Sequence, residues 1–371
     1  MMSKVNNIAH RLVPLCLLLV ALAGCRKEDT PAPDTPSGTP IAFTPETATK
    51  AAVSGVEDIQ NDANGFRVWS WFQGTTSGPM FGADGTPVTY DTTLATPAWT
   101  YSPTRYWMNG NYDFAAIYPA AITTGEGEAA TTTAIAGTYA PATSGGTPVL
   151  TVPNFDATTQ ADLLVAFNNG TDGTGINGAT PPDAVHLTFQ HALSNIQLIL
   201  TLNEDDFFVD GTDQDGNPTK RQVGYAFVSI LGFNNITTTG SMTATKSEDV
   251  SINWASSAIS NSIRLNYTSN PLQVTLEEQY FLGDDGILLI PQELAQGTGE
   301  LYMQVIIYPL GVAGESITKE FFVPLKTGVS EWKPNTKYIY TGVITQELVI
   351  DFNVTTVNAW EDESLGDFIV S

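Results

Sequence analysis

Short runs in which apolar and polar residues alternate dominate the sequence, whereas the spacing of an amphipathic helix is hard to find. Residues 66–72, FRVWSWF, place Phe, Val, Ser and Phe on one face and Arg and two Trp on the other. This period of two is typical of a β-strand, because successive side chains of a strand point to opposite faces. Further strands are predicted at residues 111–118, 163–167, 186–189, 194–202, 224–231, 287–290, 301–308, 319–325, 337–345 and 348–357. Many short strands joined by turns predict an all-β fold of antiparallel sandwiches.

The length of the chain suggests two domains, since it has 371 residues. We place the boundary near residue 190, because the turn-rich stretch 170–183 precedes a new series of apolar strands. Residues 120–150 carry few charges and are rich in Ala, Thr and Gly. We therefore expect this stretch to form a long mobile loop.

The N-terminus has the features of a bacterial lipoprotein signal peptide. Lys4 and Arg11 form a short basic region, and residues 12–23 form an apolar run that is too short to span a bilayer permanently. The run ends in LAGC, residues 22–25, which resembles a lipobox. Residues 1–24 are thus predicted to be removed, and the Cys25 thiol to carry a thioether-linked diacylglycerol, so that the mature N-terminus bears fatty acyl chains such as palmitate. RKED at residues 26–29 resembles a surface-export signal, and the Pro- and Thr-rich stretch 30–40 is a tether by composition.

Composition excludes several classes of function. The chain has 15 Lys and Arg against 39 Asp and Glu, a net charge of −24, which argues against a nucleic-acid partner. Cys16 and Cys25 are the only cysteines, and His186 and His191 are the only histidines after the signal peptide. Zinc or haem ligation and nucleophilic catalysis therefore have few side chains available, and we predict no enzyme, no metal site and no cofactor.

Two other clusters favour structural over ligand-binding roles. Residues 210–216, DGTDQDG, have the wrong register for a calcium loop, so we interpret them as an acidic hairpin loop. Trp99, Tyr101, Tyr106 and Trp107 could stack on sugars, but clustered aromatic residues of a sandwich are more often packed in or near its core.

Several segments, taken in their order along the chain, resemble those of the fimbrillin family, the type V pilins of Gram-negative oral and gut anaerobes. They are the lipobox with its tether and Thr49-Lys50-Ala51, the aromatic segments at 99–107 and 112–119, FQHALSNI at 189–196, LLIPQ at 288–292, WKPNTKYIY at 332–340 and VNAW at 357–360. The resemblance implies two tandem transthyretin-like β-sandwich domains. Residues 25–50 would be a tether and removable N-terminal strand, residues 51–190 the N-terminal sandwich, and residues 191–371 the C-terminal sandwich.

The resemblance also implies a mechanism of assembly. The precursor would reach the outer membrane as a lipoprotein anchored through Cys25, and a trypsin-like surface protease would remove its first strand. A strand of an identical or related subunit would fill the vacated groove, and repetition would build a fimbria at the cell surface. Unpaired strand edges and apolar grooves are templates for such pairing, and head-to-tail contacts grow filaments.

The site of proteolytic maturation is predicted between Lys50 and Ala51. Lys50 stands alone in a segment of small residues, and cleavage after it would release Ile41-Ala42-Phe43, whose Ile and Phe share one face. The resemblance favours Arg at such a site, which makes Arg67 the rival. Arg67 lies within a predicted strand, where a protease has poor access. The remaining alternative is that Lys50 is a solvated charge on an extended arm.

The donor strand is predicted within residues 352–370. Apolar residues alternate with polar ones as far as Phe352 and Val354, Val357 follows, and a second apolar group closes the chain at Phe368, Ile369 and Val370. The alternative is that residues 348–357 form only the last core strand. For the whole protein, the alternative function is a monomeric surface lipoprotein that binds a glycan or another host or bacterial surface ligand.

Overall fold

The computed structural model of the protein describes residues 38–47, 56–142, 147–170, 174–256, 261–294, 299–310, 316–326, 329–345 and 350–358. The predicted signal peptide, Cys25, the predicted cleavage site at Lys50 and Ala51, and the apolar tip at residues 368–370 lie outside the described residues.

The first half of the chain is built almost entirely from short strands. They are β1 (Phe43–Thr47), β2 (Phe66–Gln73), β3 (Ser77–Pro79), β4 (Thr86–Asp91), β5 (Ala98–Thr100), β6 (Asn111–Tyr118), β7 (Ala121–Thr124), β8 (Thr131–Ala134), β9 (Thr138–Ala140), β10 (Val149–Asp156), β11 (Leu164–Asn168), β12 (Ile176–Asn177) and β13 (Val185–His191). One short α-helix, α1 (Val56–Asn61), follows β1, and two single-turn 3-10 helices lie at Gly127–Ala129 and Ala157–Thr159.

The second half continues in the same style. Its strands are β14 (Ser194–Leu202), β15 (Phe208–Thr212), β16 (Pro218–Gln222), β17 (Gly224–Ile236), β18 (Thr239–Lys246), β19 (Val250–Ser256), β20 (Asn261–Asn266), β21 (Leu272–Val274), β22 (Gln279–Tyr280), β23 (Ile287–Leu289), β24 (Glu300–Pro309), β25 (Ile317–Pro324), β26 (Thr336–Ile344) and β27 (Ile350–Asn358). A single helical turn, α2 (Glu204–Phe207), precedes β15. The all-β prediction is confirmed.

A nine-stranded sheet forms the centre of the N-terminal half. Its strands run in the order β1-β13-β11-β6-β2-β4-β5, with β12 added beside β6 and β3 beside β2. One face of this sheet packs on a four-stranded sheet, β19-β18-β10-β9, through side chains such as Trp69, Ile117, Val152 and Met242. Its other face carries a separate aromatic core. Because both faces are covered, β6 is buried at nearly every position.

Two five-stranded sheets form the sandwich of the C-terminal half. One has the order β22-β14-β26-β27 with β23 beside β14, and the other the order β20-β17-β24-β25 with β21 beside β17. The core between them includes Leu200 of β14, Phe233 of β17, Met303 of β24 and Tyr340 of β26. Within the described residues, pairing is antiparallel except for β1 with β13 and β14 with β26, which run parallel.

The most extensive strand pairing across residue 190 joins β10 to β18. Strands β18 and β19 follow β17 in the chain, yet β18 pairs with β10 along Val149–Asp156 and extends the second sheet of the N-terminal half. The indole of Trp254 in β19 donates to the backbone oxygen of Ala192 at 2.7 Å. The division at residue 190 stays a prediction, and any boundary must account for these two strands.

The expectation of a long mobile loop at residues 120–150 is wrong for most of its length. β7 and β8 form a hairpin, β9 pairs with β10, and Ile135 is buried against the core. The hydroxyls of Thr123 and Thr132 lie 2.8 Å apart across the hairpin. Threonine favours strands, but its polarity concealed the alternation on which the expectation rested.

Candidate functional site

The segment of residues 39–47 lies as a strand at the edge of the nine-stranded sheet. β1 pairs in parallel with β13, with Phe43 opposite Val185 and Thr47 opposite Phe189. On the opposite side, Ile41 N–H donates to the backbone oxygen of Arg105 at 2.9 Å, and Trp107 N–H donates to that of Thr39 at 3.0 Å. The segment is therefore held by backbone hydrogen bonds on both sides, as an inserted strand would be.

Alternate side chains of this segment fill the aromatic core of the N-terminal half. Ile41, Phe43 and Pro45 are buried, whereas Ala42 and Glu46 are exposed. Only 2 % of Ile41 and 4 % of Phe43 remain accessible. Burial of one such apolar side chain contributes about 1.5–3 kcal/mol, so Ile41 and Phe43 are the main anchors of the segment. Ile41 and Phe43 thus lie on the same face of the segment, as the sequence predicts.

Phe43 sits inside a ring of four aromatic side chains, which we call the aromatic cage. Ring centroids lie 6.0 Å away for Phe66, 5.6 Å for Phe81, 5.6 Å for Tyr101 and 6.0 Å for Phe114, and all four meet Phe43 edge to face. Such edge-to-face contacts add to the free energy of apolar burial. Loss of Phe43 would leave a pocket shaped for another aromatic side chain.

Tyr101 also binds the backbone of the segment. Its hydroxyl donates to the carbonyl oxygen of Ile41 at 2.7 Å. Burial raises the pKa of the Tyr101 hydroxyl, so it remains a donor at neutral pH. On the solvent side, Glu46 and His186 approach to 3.0 Å, but both side chains are more than half exposed, and such pairs add little stability.

The two predicted cleavage positions differ in their surroundings. Lys50 lies in the stretch between the end of β1 at Thr47 and the start of α1 at Val56, outside the described residues. Arg67 lies inside β2, paired with Ile117 on one side and Pro87 on the other. Its guanidinium donates to the backbone oxygen of Asp84 at 3.1 Å, and burial lowers its pKa. A protease would have to unfold the sheet to cut after Arg67.

The predicted donor residues fall on β27, an edge strand. β27 pairs along its length with β26, and Phe352, Val354 and Val357 lie opposite Gly342, Tyr340 and Lys337. Val354 packs against the C-terminal core. Residues 350–358 thus occupy the position of a last core strand. Among the described residues, β26 is the one strand that pairs with them. Phe368, Ile369 and Val370 lie outside the described residues.

The other clusters have structural explanations. Trp107 is fully buried, Trp99 and Tyr101 pack against the same core, and Tyr106 is 42 % exposed. Residues 213–217 form the turn between β15 and β16, where the Asp213 carboxylate accepts from the backbone N–H of Asn217 at 2.8 Å. This hydrogen bond lowers the pKa of Asp213. These positions agree with the core and hairpin interpretations of the sequence.

His191 ends β13 in a buried pair, with Nδ1 3.0 Å from the Asp162 carboxylate. No cluster of three or more potential metal-ligating side chains occurs among the residues that the structure describes. Across the same ranges, none of the helices has the length and apolar character needed to cross a bilayer.

Sequence reasoning did not identify the walls of the groove that holds residues 39–47. Phe81 lies in a turn, where no periodicity marks it, and the pattern around Phe114 predicts a strand but not a groove. One signal was available: β13 alternates strictly, with Val185, Leu187 and Phe189 buried and His186 exposed. That alternation indicates a strand with one apolar face, although not what pairs with its edge.

Comparison with known proteins finds one matching family model and several similar solved structures. A family model described as fimbrillin-like matches residues 49–360. Similar solved structures include a fimbrial protein from Bacteroides vulgatus (14% identity, TM-score 0.48, 86% of this chain and 99% of that one) and a protein from Bacteroides uniformis described as a cell adhesion protein (14% identity, TM-score 0.42, 88% and 100%). A C-terminally truncated tip fimbrial protein from Porphyromonas gingivalis is also similar (9% identity, TM-score 0.29, 84% and 97%).

No curated protein matches the sequence. The family match covers well over half of the chain. The protein belongs to the fimbrillin-like family.

Proposed function

We propose that the protein is a structural subunit of a cell-surface fimbria, made as a lipoprotein precursor and assembled by strand exchange after its N-terminal strand has been removed. Family membership supports a fimbrial role, a location at the cell surface and association with related subunits. In this role the protein carries out no chemical reaction. Its activity is to pair with identical or related subunits.

One observation carries the proposal. Residues 39–47 form a separate strand that fills an apolar groove at a sheet edge, and a short connection containing Lys50 leads from it to the rest of the sandwich. Cleavage between Lys50 and Ala51 would free that strand. It would leave the edge of β13, the backbone of residues 105–107 and the aromatic cage without their partner. A strand from another subunit could restore both the backbone hydrogen bonds and the buried side chains.

The position of Arg67 supports Lys50 as the cleavage site. Arg67 is paired on both sides within β2, so cleavage there would destroy the sheet that must receive the new strand. A trypsin-like surface protease could act after Lys50 as well as after an Arg, since both side chains are basic. Cys25 would hold the precursor in the outer membrane until that cut, because buried acyl chains contribute about 0.8 kcal/mol per CH₂.

The experiment uses residues 26–371 and limited trypsin treatment, with intact mass measurement and electron microscopy. We expect a product that begins at Ala51 and forms fibres. The matched control is Lys50→Gln, which should keep residues 39–47 and stay monomeric, whereas Lys50→Arg should behave like the unchanged chain. A product that begins at Ala51 but stays monomeric with its N-terminal fragment bound would contradict the proposal, as would equal assembly of the Lys50→Gln chain. A monomer that binds a glycan would then be the better account.

Lipidation is tested separately on protein made in its own cells. We expect globomycin to shift the mobility of the precursor and the mature N-terminal peptide to carry acyl chains on Cys25. Cys25→Ala should abolish both signals. An unmodified Cys25 in membrane-bound protein would contradict this part of the proposal without affecting strand exchange.

A further inference from the structure

The sequence contains a second copy of the anchor pattern that holds residues 39–47 in place. Ile-x-Phe occurs only at Ile41-Ala42-Phe43 and at Ile350-Asp351-Phe352. The match extends one step further, because the next alternate position is apolar in both segments, Pro45 in the first and Val354 in the second. Since alternate residues of a strand share one face, both segments can present three apolar side chains in the same order.

The groove imposes that order. Ile41, Phe43 and Pro45 are buried in succession, and the middle one sits in the aromatic cage. The positions between them face solvent or are half-buried, which suits the polar residues Asp351 and Asn353 of the second segment. A slip by one residue would turn those polar side chains into the core.

We infer that residues 350–354 of a second copy of this chain occupy the groove in one register, with Ile350, Phe352 and Val354 in the places of Ile41, Phe43 and Pro45. This inference rests on the proposed strand exchange. It moves the donor segment from the predicted range 352–370 to residues 350–354 and adds the register. Parallel pairing with β13 would then set Asn353 opposite His186, as Thr44 is in this structure.

The geometry favours this segment over the apolar tip of the chain. The tip could place Phe368 in the aromatic cage and Val370 at the Pro45 position, but Gly366 would then stand at the Ile41 position and leave its site unfilled. Residues 350–354 fill all three sites. They also lie on an edge strand, whose release from β26 leaves the pairing of β26 with β14 in place.

Engineered disulfides test the register, because a chain of residues 26–371 contains no cysteine. Three double variants are cleaved after Lys50, assembled, oxidised and run on a non-reducing gel. His186→Cys with Asn353→Cys matches the inferred register. His186→Cys with Asp351→Cys tests a slip by two residues, and His186→Cys with Ile369→Cys tests the tip. His186 and Asn353 are exposed, so these substitutions spare the core.

We expect a ladder of linked subunits for the Asn353 variant, lost on reduction, with a peptide joining positions 186 and 353 identified by mass spectrometry. The other two variants should form fibres with no more than background cross-linking. A ladder from the Asp351 or Ile369 variant, or fibres of the Asn353 variant that do not cross-link, would overturn the register while leaving strand exchange intact. If the unsubstituted cleaved chain forms no fibres, the proposed function fails, and this inference fails with it.

Discussion

The hydroxyl of Tyr101 donates a hydrogen bond of 2.7 Å to the carbonyl oxygen of Ile41, across 60 positions of the chain. The same side chain packs its ring 5.6 Å from that of Phe43. One residue of the groove thus contacts both the backbone and the main side-chain anchor of the N-terminal segment. This dual contact makes Tyr101 a sensitive position at which to measure how firmly the segment is held.

Tyr101→Phe removes the hydrogen bond and keeps the ring. We expect the segment to be held less tightly by about 1 kcal/mol, since a typical net hydrogen bond contributes about that much. Faster amide exchange of residues 39–47 by mass spectrometry would report it. Tyr139→Phe is the matched control, because the buried Tyr139 hydroxyl has no hydrogen-bond partner among the residues that the structure describes. Equal exchange in the two variants would show that the Tyr101 hydroxyl does not hold the segment.

Phe43→Ala empties the aromatic cage in the uncleaved chain. A buried Phe→Ala change costs about 3–5 kcal/mol, so the free energy of unfolding of the precursor, measured with urea, should fall by that amount. Ala42→Ser, at an exposed position of the same segment, should leave stability unchanged. After cleavage at Lys50 and release of the fragment, both variants should match the unsubstituted chain, because positions 42 and 43 are gone. An unchanged precursor stability for Phe43→Ala would mean that the segment does not pack as described.

Asp113 makes the stability of the fold depend on pH. Asp113 lies on the face of β6 opposite the aromatic cage, and only 2 % of the residue is exposed. Burial raises the pKa of its carboxyl group to about 6, although a hydrogen bond from Gln73 opposes the shift. A raised pKa means that the folded state prefers the protonated acid. The stabilisation of the fold by protonated Asp113 is fully present below the pKa of this group in the unfolded chain, near 4. It is lost as the pH rises through the pKa in the folded protein, about 6.

We therefore expect Asp113→Asn to be more stable than the unsubstituted chain at pH 7.5, by up to about 3 kcal/mol, and nearly equal at pH 4. Urea titrations at the two pH values measure this difference. Asp183→Asn, at an exposed site, is the control and should change stability little at either pH. Destabilisation by Asp113→Asn at pH 7.5 would show that the charged carboxylate is the form the fold needs.

Gln160 links the two halves of the chain. Its side-chain amide donates to the backbone oxygen of Leu288 at 3.1 Å, and its carbonyl accepts from the Leu288 N–H at 3.0 Å. Gln160 has a left-handed backbone conformation, with φ at 55°, and Asn tolerates this conformation. The side chain of Gln160→Asn is, however, too short to reach the backbone of Leu288. We expect a loss of about 1–3 kcal/mol in thermal or urea unfolding. Gln214→Asn in the exposed β15–β16 turn should be neutral, and equal effects would argue against the link.

Local pattern determined which residues form many of the strands. Residues 111–118 and 194–202 were predicted with the bounds that the structure has, because their β-branched and aromatic side chains favour strands wherever they pack. The buried face of residues 41–43 likewise followed from alternation. The same method missed β7, β8, β18 and β19, whose threonines and small residues give a weak apolar signal.

Tertiary structure alone decided which strands are neighbours. Nothing in the alternation of residues 239–256 says that β18 pairs with β10 rather than with β17, which precedes it in the chain. The aromatic cage likewise brings Phe66, Phe81, Tyr101 and Phe114 around Phe43 from four separate segments. Alternation depends on side chains two positions apart, whereas pairing and cage formation depend on side chains that meet only after the sheets have packed. A single sequence therefore shows that a segment has an apolar face and leaves open what covers that face.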